Sequence, residues 1–310
     1  MRIFLAGATG ALGSRLVPLL AAAGHEVTGM TRTPAKADGL RAAGAEPVVA
    51  DGLDRDAVVA AVTAARPDAV IHQLTALTDL SDMRDFDGVF AATNRLRTEG
   101  TEHLLAGARA AGARRFVAQS YTGWPYARTG GKVKTEDDPL DPAPPASMAR
   151  SLAAIRRLEA LVTGADDLEG IALRYGGFYG PGTSLEPGGE QFELVRRRRI
   201  PIVGGGAGVW SFVHIDDAAA ATVAAVEHGR RGIYNVCDDD PAPASEWLPV
   251  LAEALGAKPP RRVPRWLGRL AAGEAVATLM TETRGASNRK ARTQLGWQPA
   301  HPSWRDGFRA

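Results

Sequence analysis

Short apolar runs that alternate with helix-length, alanine-rich segments predict an α/β protein built on a doubly wound parallel sheet. A glycine-rich turn directly after the first apolar run points the same way. The length, 310 residues, suits one large domain or two closely joined ones with a substantial core. Strand–helix–strand units of this kind take right-handed crossovers and cover both faces of the sheet.

Each element follows from its own residues. Ile3–Ala6 reads as a strand; Leu12, Leu16, Leu19, Leu20 and Ala23 follow at helical spacing up to Gly24, a suitable C-cap. Pro18 lies inside that helix and is expected to kink it. Further strands are expected at Glu26–Met30, Pro47–Ala50, Ala69–His72, Arg115–Gln119, Ile171–Arg174 and Ile233–Val236. Helices are expected around Lys36–Ala43, Asp54–Ala65, Val89–Ala111 and Ser147–Thr163. The stretch from Gly123 to Ala146 is rich in Gly, Pro and acidic residues, and a connection this long is usually functional or mobile. Gly and Pro become dense from Gly176 to Gly208, and the remaining chain carries Trp210, Trp247, Trp266, Trp297 and Trp304. The expected organisation is a nucleotide-binding domain over residues 1–175, completed by about 212–236. A smaller C-terminal substrate-binding region comprises 176–211 and 237–310.

Composition excludes several classes of function. Apolar residues make up 45% and charged ones 23%, an ordinary globular balance that argues against disorder or a fibre. With 37 basic and 35 acidic residues the net charge is +2, so no global field marks nucleic acid as the partner. The run Arg196–Arg199 is the one dense basic cluster and reads as a solvated face. The lone Cys237 excludes a disulfide framework and a cysteine-based zinc site, and no metal is expected. No stretch approaches eighteen uninterrupted apolar residues, and the opening MRIFLAGATG runs straight into the glycine motif rather than forming a signal peptide. A cytoplasmic protein without a membrane span is expected.

The sequence GATGALG supplies Gly7, Gly10 and Gly13, with Ala8, Thr9, Ala11 and Leu12 between them, after one strand and before one helix. Backbone amides at a helix N-terminus attract a pyrophosphate, and glycines let it approach without a Cβ clash. This context predicts a dinucleotide site in a Rossmann-type fold. An acidic residue at the end of the second strand would hold the ribose hydroxyls of NAD. Here that stretch reads VTGMTRTPAK, with no carboxylate but with Arg32 and Lys36. Arg32 can clamp a 2′-phosphate by charge-assisted hydrogen bonds, the plain alternative being a solvent-facing arginine. NADP(H) is therefore the expected cofactor.

These motifs resemble those of the extended and atypical short-chain dehydrogenase/reductases, the epimerase/dehydratase-like group, over almost the full length. Asp51, Gly52 and Leu53 are similar to the segment that meets the adenine in that group, and Val70–Ala76, with Leu74 and Thr75, to the strand end beneath the cofactor. Asn94 stands where the group keeps a structural asparagine. Leu173–Gly182, with Tyr175, Gly176 and Phe178, resembles the strand and loop that pass the nicotinamide. Phe212–Ala219 resembles an Asp-containing helix start in which Asp217 would cap or brace. The resemblance also implies a cofactor contact at Ser120, and a homodimer packed through Val89–Ala111 and Ser147–Thr163.

The departures from the group concern chemistry. Its catalysis uses a Tyr and a Lys four positions later on one helix (Y-x-x-x-K), with a Ser or Thr after the fifth strand; the Tyr moves a proton to or from the substrate oxygen. In the corresponding helix Met148 takes the Tyr position and Leu152 the Lys position, and neither carries a proton. Tyr121 falls at the usual hydroxyl position, followed by Thr122, and these are the candidate catalytic residues. Tyr126, Lys132 and Lys134 come later in the loop. His72 and His214 read as structural strand-end histidines. An Arg that binds the diphosphate of nucleotide sugars is replaced by Trp210 and Ser211, which disfavours such substrates and suggests a pocket walled by Trp210 and Tyr126. The expected function is an NADP(H)-dependent oxidoreductase acting on a small organic carbonyl or alcohol with a non-standard proton donor. The alternatives are a non-catalytic NADP(H) redox sensor, and an epimerase- or dehydratase-type lyase that uses the cofactor transiently.

Overall fold

The computed structural model describes residues 1–77 and 83–308. Seven strands form one parallel sheet: β1 (Arg2–Ala6), β2 (Glu26–Thr31), β3 (Ala45–Val49), β4 (Ala69–His72), β5 (Arg115–Tyr121), β6 (Glu169–Tyr175) and β7 (Gly232–Val236). Their order is β7-β6-β5-β4-β1-β2-β3. The order reverses between β1 and β4, and in open α/β sheets that reversal leaves a crevice beyond the strands' C-terminal ends. β5 runs two residues further than its apolar run predicts, because Ser120 pairs with Arg174 and Tyr121 with Tyr175 across the ladder.

Helices α1 (Ala11–Ala22) and α5 (Ile215–His228) cover one face of the sheet. Helices α2 (Arg55–Ala65), α3 (Thr101–Ala110) and α4 (Ala149–Thr163) cover the other. α1 continues unbroken across Pro18, which is exposed. The long helix expected over 89–111 is divided: Ala91–Arg95 leads into a π-helical turn at Leu96–Gly100 and then into α3. The apolar stripes of these helices turn inward. Leu104, Ala108, Leu152, Ile155, Leu158 and Val162 are fully buried within the chain, against the sheet or beside it.

The stretch after Gly123 is tied down in part. Val133–Lys134 pairs in parallel with Gly285–Ala286, and Tyr126 bridges Leu140. A second apolar core gathers Phe212, Trp247, Trp304 and Phe308 with the helix Ala244–Ala254. The helix Arg265–Thr281 is split at Gly273, whose φ of +90° lies in the left-handed region. Among the described residues no helix is long and apolar enough to cross a membrane.

Candidate active site

The β1 end of the crevice is shaped by missing side chains. Gly7 has φ +88°, and a Cβ there would sit 2.6 Å from the Gln73 carbonyl oxygen. A Cβ on Gly13 would sit 2.1 Å from the Gly7 oxygen, so α1 packs directly on the turn. Gly10 is the N-cap of α1 and provides no side-chain cap, which leaves the first-turn amides available to an anion. Ala8 N–H donates to the Met30 carbonyl (3.2 Å), and the hydroxyls of Thr9 and Thr31 lie 3.2 Å apart, joining the turn to β2. This cradle fits a dinucleotide pyrophosphate.

Arg32 follows the last residue of β2 and is exposed. Asp51 is exposed and accepts the Leu53 N–H at 3.0 Å, closing its own turn. Gly52 meets Leu74: a Cβ there would lie 2.5 Å from Leu74 Cδ1. Thr75 is exposed, Gly176 is buried, and Phe178 lies half-buried against Tyr175 with ring centroids 5.4 Å apart. The Tyr175 hydroxyl is shared with Thr222 (2.7 Å) and Gln73 (3.3 Å).

The β5 end is apolar. Met148 and Leu152 are buried with Phe86, Trp124, Ile155, Ala275 and Leu279, and Phe90, Tyr121, Leu140 and Trp210 pack around them. Trp210 is half-buried; its indole donates to the Leu279 carbonyl (3.0 Å) and stacks near Phe212 and Trp247. Tyr121 is half-buried, and its ring curls back so that a Cβ on Gly123 would meet its hydroxyl at 2.3 Å. Desolvation pushes the Tyr121 phenol up to about 12, against a smaller opposing effect of the Arg97 charge. Thr122 is fully buried, and among the described residues its hydroxyl has no hydrogen-bond partner.

Two further residues lie in a polar network beneath this floor. Ser120 Oγ donates to Glu159 Oε1 (2.7 Å), and Arg174 grips Glu159 through two hydrogen bonds of 2.6 and 2.7 Å. Arg174 also donates to the Tyr126 hydroxyl (2.9 Å), which donates to Asn235 (2.7 Å). Tyr126, read from the sequence as a pocket wall, is thus fully buried in this network.

A further chain of polar contacts, not evident from the sequence, starts at Asp87. Its buried carboxylate caps α4 by accepting the N–H groups of Arg150 (2.9 Å) and Ser151 (2.8 Å) and the Ser151 hydroxyl (2.6 Å). Asn94 donates to Ser151 Oγ (2.9 Å), and Arg97 donates to Asn94 Oδ1 (3.2 Å). The spacing of Asn94 and Arg97, three residues apart on one helix, was the available signal.

The histidines are braced. His72 Nδ1 accepts the Leu74 N–H and Nε2 lies 3.2 Å from the Leu96 carbonyl; burial lowers its pKa to about 4. His214, Asp217 and His301 lie together, with ligand atoms within 4.8 Å of one another. Asp217 already accepts the N–H groups of Ala300 (2.8 Å) and His301 (2.9 Å), so its carboxylate fastens the C-terminal segment to α5.

A model of the NAD dependent epimerase/dehydratase family matches residues 3–237. The chain is 50% identical over 310 residues to a 3-diazoavenalumate denitrifying reductase from a Streptomyces species, covering 99% of each. Among solved structures it is similar to human epimerase family protein SDR39U1 with NADPH, with 21% identity and a TM-score of 0.77, covering 100% of this chain and 98% of that one. It is also similar to the Thermus thermophilus UDP-glucose 4-epimerase complex with NAD, with 24% identity and a TM-score of 0.75, covering 100% and 97%.

Proposed function

Because the chain belongs to the NAD dependent epimerase/dehydratase family, we propose that it is an NADP(H)-dependent reductase that replaces the diazo group of an aromatic substrate with hydrogen. The observation that carries this reading is the apolar cluster that takes in Met148 and Leu152, where a carbonyl reductase of this family would keep its proton relay. The half-identical relative is named for a diazo compound, and a diazo substrate would need no such relay. When bound, the nicotinamide supplies a hydride, and an arenediazonium group consumes it without a net proton: Ar–N₂⁺ + H⁻ → Ar–H + N₂.

The residues divide the work accordingly. Gly7, Ala8, Thr9, Gly10, Ala11, Leu12 and Gly13 would cradle the pyrophosphate, and Arg32 the 2′-phosphate. Asp51, Gly52 and Leu53 would border the adenine, and Leu74, Thr75, Tyr175, Gly176, Phe178 and the backbone of Ser120 the nicotinamide half. Phe86, Trp124 and Trp210 would hold the arene and keep water away from a carbon that water otherwise converts to a phenol. Tyr121 and Thr122 would steer the leaving nitrogen through neutral hydroxyls. A phenol pushed up to about 12 is a weak acid at neutral pH, which suits a hydrogen-bonding role better than proton transfer.

Incubation with NADPH deuterated at the transferable position and an arenediazonium carboxylate is expected to yield the deuterated arene above the uncatalysed background. No enzymatic transfer would overturn the reading. Tight NADPH binding without turnover of any diazo or carbonyl compound would favour the redox sensor. A homodimer would have to use the outer faces of the helices around Arg95–Arg109 and Arg150–Arg157, because the apolar stripes are spent internally. Those outer faces carry Arg157 and Glu102, paired at 2.8 Å. Light scattering at micromolar concentration tests this, and a monomeric mass would defeat it.

A further inference from the structure

We propose that Arg97 binds an anionic oxygen of the substrate, a carboxylate or a phenolate, and so selects for negatively charged arenes. This rests on the function proposed above and deepens it. Three observations converge on the residue. It sits in the π-helical turn Leu96–Gly100, the one irregular turn in a helix that otherwise packs on the sheet, and such turns often mark functional sites. Its guanidinium is held by Asn94, which Ser151 anchors in turn; Ser151 precedes Leu152, a member of the apolar cluster against which Tyr121 packs. It is half-buried, and among the described residues it forms no ion pair.

A cation partly withdrawn from water without a counter-ion is costly unless something compensates it. Desolvation lowers the Arg97 pKa to about 10, while Tyr121 and Glu159 act in the opposite direction. Glu159 cannot serve as its counter-ion, because both its oxygens are taken by Arg174 and Ser120. Tyr121 stays a neutral phenol at physiological pH. The charge is felt at Tyr121, which packs on the apolar cluster that would receive an arene. The planar guanidinium fork matches a carboxylate in two hydrogen bonds and a phenolate in one.

The test compares Arg97→Gln and Arg97→Lys with the wild-type protein loaded with NADP⁺. Binding of two unreactive probes, cinnamate and 4-nitrophenolate, and of the neutral probe cinnamamide is followed by tryptophan fluorescence. Arg97→Gln is expected to weaken binding of at least one anion about 10–100-fold, the loss of one or two charge-assisted hydrogen bonds. Cinnamamide and NADPH affinities should change less than about twofold by the same reasoning. Arg97→Lys should recover part of the loss, since the charge remains but the fork does not. The anion most affected identifies the source of the oxygen. Equal losses for charged and neutral probes, or a loss of NADPH affinity alone, would overturn the inference, the second outcome assigning Arg97 to the cofactor. Because these probes are not turned over, the result stands apart from whether the diazo reaction itself is observed. Unchanged melting of Arg97→Lys separates lost binding from lost folding.

Discussion

At the β1 end of the crevice the side chains are small or absent; at the β5 end they are large and apolar. Gly7 and Gly13 leave no room for a Cβ, so any substitution there meets backbone that cannot move aside. Met148 and Leu152 instead fill space, in company with Trp124, Phe86 and Leu279. The first end is a constraint on the main chain and belongs to any member of the family that binds the same group. The second is a choice of side chains, and it is where one member can depart from another. The contrast teaches that a shared cradle does not carry shared chemistry, because the cradle and the reacting end are built by different means.

Four experiments break or sharpen that contrast. The largest effect is expected beneath the β5 end. Glu159→Ala leaves Arg174 buried without its carboxylate and should cost about 3–5 kcal/mol in denaturant unfolding. A loss under about 1 kcal/mol would show that the network is not structural. At the opposite end, Arg32→Ala should weaken NADPH binding about 10–100-fold and leave NADH binding nearly unchanged. Wild-type protein that binds both dinucleotides equally would refute the NADP(H) assignment.

The third experiment concerns His72, which joins β4 to the π turn. Its folded pKa of about 4 lies below the ordinary 6.5, so the unfolded chain binds more protons between those values. Stability from this group is full above pH 6.5 and is lost as pH falls toward 4; by pH 5 the loss is roughly 2 kcal/mol. A His72→Gln variant should show a flatter dependence of unfolding free energy between pH 7.5 and 5. An unchanged slope would mean that other groups carry it. The smallest effect is expected at Tyr121. Under the diazo reading, Tyr121→Phe should reduce kcat less than about tenfold, since only a neutral hydrogen bond is lost. A fall of 10²–10⁴-fold would restore Tyr121 as a general acid and with it a carbonyl substrate.

The sheet was largely legible because its strands are short apolar runs punctuated by glycine and by helix-length segments, and the seven expected strands are the seven of the main sheet. What escaped depends on partners distant in sequence. Nothing local in Arg115–Gln119 announces that Ser120 and Tyr121 will pair with Arg174 and Tyr175. Arg174 and Glu159 read singly as charged residues and become a buried pair only once β6 and α4 are packed. An aromatic residue in a Gly- and Pro-rich loop reads as a pocket wall, but the course of that loop is set by distant partners, and the Tyr126 hydroxyl lies between Arg174 and Asn235. Leu104 and Ala108 on α3, and Leu152, Ile155, Leu158 and Val162 on α4, recur at helical spacing, but periodicity does not say which surface they meet. Arg97 was overlooked because an arginine inside a helix ordinarily points to water, and only the π turn and Asn94 hold it otherwise.

The anchoring of the C-terminal segment has a consequence for how the protein is made. Asp217 waits for Ala300 and His301, and Asp238 for the Trp304 N–H at 2.9 Å. Both carboxylates are buried in the finished fold, and these contacts form only once residues some 66–84 positions downstream have left the ribosome. The nucleotide-binding sheet can therefore be synthesised early but secured only late. Until then the start of α5 and the end of β7 stay unfastened, so this half of the sheet is locked only by the last residues of the chain.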